Sequence, residues 1–120
     1  MVYEYDLIIY PRKVWITYDA TLEELNQTFP NGYIGGDKFV EEKSSFGVTY
    51  NTGDKANNGG VLIRFENKDA MTSCNMAHEA VHAAAYICDY IGIEADWSND
   101  EAYAYLVSFI VKCCEETKSK

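Results

Sequence analysis

The chain has two histidines, His78 and His82, four residues apart, with Glu79 directly after the first. On a helix, positions i and i+4 share a face one turn apart. Two imidazoles in the spacing H-E-x-x-H can therefore hold one Zn²⁺ with bonds of about 2.0–2.1 Å. Glu79 then projects about 100° around the helix, where it can reach a water activated by the metal without ligating the metal. A carboxylate so placed can take a proton from that water and pass it to a leaving amine. The bland alternative is two polar residues on the wet side of an amphipathic helix. The helical flanks and a candidate third ligand downstream weigh against it.

A catalytic zinc usually has three protein ligands and one open position. With no third histidine, the third must be Glu, Asp, Cys or Tyr. Glu101 is the leading candidate, in the first turn of the next expected helix, with Asp96 and Asp100 as fallbacks. A competing role exists for Glu101, because Ser98 to Glu101 also reads S-x-x-E and could close a capping box. Cys88 lies six positions after His82, but an unbroken helix turns it away. Tyr86, Tyr103 and Tyr105 are candidates to stabilise an oxyanion. Helical spacing favours Tyr105, one turn after Glu101.

The pair HEAVH and NDEAYAY resembles the glutamate-zincin group of metallopeptidases, which carry HExxH on one helix and a Glu on the next. That resemblance implies Zn²⁺ on His78, His82 and Glu101, with Glu79 as general base. The chain is also similar to the small ImmA/IrrE-like peptidases of mobile elements. It is similar as well to short zincin-like proteins of phages, through Tyr10 to Trp15 (YPRKVW). Two positions depart from the pattern. Tyr105 stands where many members of the group have an Asp that orients a histidine, and no further histidine is present for the oxyanion.

The elements that would position these residues follow from pattern. Residues 3–18 are rich in Tyr, Ile, Val and Trp and predict one long strand or two, broken near Pro11, which lacks an N–H. Thr21 to Glu24 is a capping-box sequence ahead of a short helix over 22–28, ended by Phe29-Pro30-Asn31-Gly32. The charged run Glu41-Glu42-Lys43 reads as a solvated loop or strand edge. Residues 46–50 and 61–65 predict an antiparallel hairpin around a turn-rich loop, 51–60. Val61 to Phe65 does not alternate, which implies cover on both faces; it is also the strand expected to pair with an extended substrate. Helical periodicity covers 73–91, with Ala77, Val81, Ala84, Ile87, Cys88 and Ile91 as the core stripe and the histidines facing away. Gly92 ends it. A second helix over about 99–117, capped by Ser98, presents Ala102, Leu106, Phe109, Ile110 and Cys113.

The expected whole is one α+β domain over residues 1–120, zincin-like, with a mostly antiparallel sheet packed on the active-site helix and a C-terminal helix. Its net charge of -9 argues against nucleic acid or an anionic membrane as partner. No apolar run is long enough to span a bilayer, and the acidic start, MVYEYD, lacks the basic region of a signal peptide. Cys74, Cys88, Cys113 and Cys114 have no CxxC spacing and read as reduced thiols, consistent with a cytoplasmic setting. The expected function is zinc-dependent hydrolysis of a peptide or protein substrate. The alternatives are a non-catalytic binding or accessory domain on the same scaffold, and a metal-free domain with an incidental motif.

Overall fold

Proline and the residues around it divide the β-rich N-terminus. In the computed structural model, which describes residues 1–42 and 45–120, it forms strand β1 (Tyr3–Asp6) and strand β2 (Lys13–Thr17), joined by the Leu7–Arg12 loop that holds Pro11. Helix α1 (Leu22–Thr28) begins at Thr21, whose hydroxyl accepts from the Glu24 N–H at 3.1 Å, the expected cap. Strands β3 (Gly47–Gly53) and β4 (Gly59–Phe65) form the expected hairpin. Its loop is only Asp54 to Asn58, closed by the Asp54 carboxylate accepting from Ala56 N–H and from the main-chain and side-chain N–H groups of Asn58. Helices α2 (Ser73–Ile91) and α3 (Glu101–Lys118) complete the chain and pack against each other. Among the described residues, no helix is long and apolar enough to cross a membrane. Of the expected charged loop, Glu41 and Glu42 are exposed, and Lys43 lies outside the described residues.

The architecture is α+β, and the sheet corrects one expectation. Its order is β1-β2-β4-β3, and the central pair, β2 and β4, is parallel, with Val14 opposite Val61 and Ile16 opposite Ile63. The sheet is therefore mixed. Placing β4 in the middle explains its unbroken apolar run, because both faces are covered. Val61, Ile63 and Phe65 meet Met76, Ala80, Ala83, Ala84 and Ile87 of α2 and Leu106 and Ile110 of α3. On the other face, Leu62 joins Trp15, Tyr50, Leu25, Phe29 and Phe39. The same placement removes β4 from the role of docking edge; the edge strand beside it is β3.

Helix α2 is also rolled relative to the expected stripe. Met76, Glu79, Ala80, Ala83, Ala84, Ile87 and Cys88 are buried, whereas Val81 is 42% exposed and Ala77 is exposed. Alanines at 77, 80, 83, 84 and 85 surround the helix, so apolar spacing alone fixes its orientation poorly. Packing selects the face where small side chains allow close approach to the sheet and where Met76 and Ile87 fill the remaining space.

Candidate metal centre

Thr72 caps α2, accepting from the Asn75 N–H, and Gly92 ends it in the left-handed region at φ 76°. Between these ends the helix is regular, so His78 and His82 fall on one outer face. Their Nε2 atoms are 3.2 Å apart, with the rings edge to face. Two zinc–nitrogen bonds of about 2.05 Å meeting at the tetrahedral angle put the nitrogens about 3.3 Å apart, so the spacing of this pair fits a shared ion. The His78 side chain is 68% exposed, which leaves the site open to solvent.

Glu79 has a different environment. The roll of α2 turns it toward the sheet, where it is 6% exposed. Its Oε1 accepts a hydrogen bond from the Thr49 hydroxyl at 2.9 Å. Its Oε2 lies 3.8 Å from His78 Nε2, too far for a hydrogen bond to that nitrogen. The carboxylate rests on β3 at Gly47, where a Cβ would stand 3.0 Å from the Glu79 Cγ. Neither Thr49 nor Gly47 was singled out in the sequence. Both lie some 30 positions upstream, and only the hairpin register brings them under the helix.

The second helix contributes less than its spacing implied. Its inward residues are Leu106, Ile110, Cys113, Cys114 and Thr117, with Tyr103 and Val107 packed beside them. Glu101 and Tyr105 do share a face, as expected, but each lies two residues from Tyr103, about 200° around the helix. Both are exposed, Tyr105 at 72%. Among the described residues, no three His, Cys, Asp or Glu side chains converge closely enough to hold a metal. The structure thus pairs His78 with His82, sets Glu79 beside His78, and does not bring Glu101 to them. Glu101 also closes no capping box: Ser98 donates its hydroxyl to Asp96 at 2.8 Å, and Asp100, the N-cap residue of α3, makes no side-chain cap. Asp100 lines a shallow cleft with Asp96, Trp97 and Tyr103.

The tyrosine that meets α2 is Tyr103, whose hydroxyl donates to the Val81 carbonyl at 3.3 Å, one residue before His82. Burial, with Cys88 nearby, lifts its pKa above the ordinary tyrosine value, which keeps it a donor. Tyr105 instead lines an apolar groove with Leu7, Ile9, Tyr10, Leu106 and Phe109. The cysteines are free; Cys88, Cys113 and Cys114 are buried and Cys74 is exposed. Burial pushes the Cys113 and Cys114 thiols up to about 12, which makes them inert packing groups rather than thiolate ligands. No family model, curated protein or solved structure matches this chain.

Proposed function

We propose that this protein is a zincin-like, zinc-dependent peptidase with His78 and His82 as metal ligands and Glu79 as general base. One observation carries the reading: two ring nitrogens 3.2 Å apart on an exposed helix face, beside a buried carboxylate oxygen 3.8 Å from one of them. Bound zinc would polarise the scissile carbonyl and make water acidic near neutral pH. Glu79 Oε2 is the atom that would hold the proton from the attacking water and then deliver it to the amine nitrogen. The third protein donor comes from the acidic segment between α2 and α3. Asp100 shares a cleft with Tyr103, the α3 residue whose hydroxyl reaches α2 at Val81, and Glu101 does not line that cleft.

The substrate lies along β3 rather than β4. The Asn51 carbonyl accepts from the Ile34 N–H, so it points to the outer edge of the sheet. Strand alternation then points the main-chain groups of Gly47 and Thr49 the same way. Among the described residues these two have no main-chain partner on that edge. An extended peptide pairing there would run past Glu79.

Glu79→Gln should abolish cleavage of an unfolded protein while leaving zinc stoichiometry, measured by elemental analysis, unchanged. Turnover retained in that variant removes the mechanism. A non-catalytic binding role on the same scaffold is the rival reading, since no three donors converge among the described residues. It is the reading to adopt if wild-type protein loaded with zinc cleaves nothing.

A further inference from the structure

Glu79 poses a physical problem that its role does not solve. A carboxylate in a largely buried position is costly unless its oxygens have partners, and a general base must also hold one oxygen toward the reaction. The two oxygens of Glu79 divide these tasks. Oε1 is tied down by the Thr49 hydroxyl at 2.9 Å, and Oε2 is the one that faces His78. The Thr49 hydroxyl also lies 3.3 Å from the Glu79 main-chain carbonyl. It has a single proton, and the shorter, charge-assisted bond to the carboxylate is the stronger.

The opposite side of the side chain is closed by shape. At Gly47 a Cβ would meet the Glu79 Cγ at 3.0 Å, the Phe65 ring at 3.2 Å and the Glu79 carboxyl carbon at 3.4 Å. Any larger residue there would press on the Glu79 stem and the buried Phe65 ring, one of which would have to give way. Thr49 and Gly47 face the same side of the sheet, opposite Ile63 and Phe65 of β4. The β-branched Thr49 side chain has little rotamer freedom, so the strand sets the direction of its hydroxyl.

We propose that Thr49 is a positioning residue for Glu79, holding its side chain in the rotamer that turns a carboxylate oxygen toward His78, with Gly47 supplying the gap into which Glu79 fits. The inference rests on Glu79 being the general base of the proposed peptidase. It is tested first in metal-free protein, where catalysis plays no part. Side-chain scalar couplings in selectively labelled protein report the Glu79 rotamers. Wild type and Thr49→Ser should show one dominant rotamer; Thr49→Val, which keeps the shape and loses the donor, should show averaging. Gly47→Ala should shift the Glu79 rotamer with Thr49 still present, which covers the case of an unstable Thr49→Val. With zinc and a peptide substrate, Thr49→Val should lower kcat by about 10–100-fold, with KM and zinc affinity changed by less than about threefold, and Thr49→Ser should restore kcat. Unchanged Glu79 rotamers in both Thr49→Val and Gly47→Ala overturn the proposal. Wild type that orders Glu79 through Thr49 yet cleaves nothing removes the peptidase reading and leaves the positioning intact.

Discussion

Ile8 is a β-branched residue at φ 67°, in the left-handed region, and its side chain is 86% exposed. An L-residue there costs roughly 1–2 kcal/mol, and nothing is recovered by burial. Asparagine tolerates that conformation far better. Ile8→Asn should therefore raise unfolding stability by about 1 kcal/mol, read by urea denaturation. Ile9→Asn, at a position 79% exposed with no positive φ, should give no such gain. No pattern in LIIYPR announces this strain, because it arises from how the loop must turn between two paired strands. The residues of the proposed site divide in the same way. His78, Glu79 and His82 were legible because their geometry is local: one helix dictates their spacing. Thr49 and Gly47 were not, because their contact with Glu79 depends on hairpin register and on the roll of α2.

At the scale of elements, both ends of α2, the cap of α1 and the β-strand character of 3–18, 46–50 and 61–65 could be read from the sequence, though not whether 3–18 made one strand or two. The pairing of β2 with β4 could not. Local alternation and turn signals suggest neighbours in sequence, and they say nothing of a parallel partner more than 40 residues away. One glycine makes that pairing testable. At Gly60, which sits opposite Lys13 in the parallel register, a Cβ would come within 2.0 Å of the Lys13 carbonyl oxygen. Main chain cannot swing aside as a side chain can, so Gly60→Ala should cost about 3 kcal/mol, the upper range for overpacking. Gly92→Ala is the comparison, since its Cβ would meet nothing within 4 Å and only the positive φ of 76° opposes it. That variant should cost about 1 kcal/mol. Equal losses in equilibrium unfolding of the two variants would mean that β2 and β4 are not packed in this register. The apolar residues of α3 fix both the helix and its facing, since Leu106, Ile110 and Cys113 are buried as their spacing implies, but the exposed first turn places Glu101 on the outer side.

For the molecule as a whole, the proposed metal would be an addition to a fold that has its own means of support. Both cores lie on the faces of the sheet, built from residues such as Val14, Ile63, Ala83 and Ile110 on one side and Trp15, Phe29 and Leu62 on the other. The imidazoles stand outside them. Chelator-treated protein should therefore still unfold cooperatively, unlike small domains in which metal binding supplies the folding energy. Zinc that binds only the native state should then add stability by mass action, about 2.7 kcal/mol at 100 times its Kd. His78→Ala should erase that increment while changing the metal-free stability by less than about 0.5 kcal/mol, as expected for an exposed position. The same titration locates the third donor. Asp100→Asn should lower the zinc increment more than Glu101→Gln, because Asp100 shares a cleft with Tyr103, which reaches α2 beside His82, and Glu101 does not line that cleft. The reverse order would mean that zinc binding reorganises the first turn of α3. No increment in wild type at millimolar zinc would leave the paired histidines without a metal and the proposed chemistry without its electrophile.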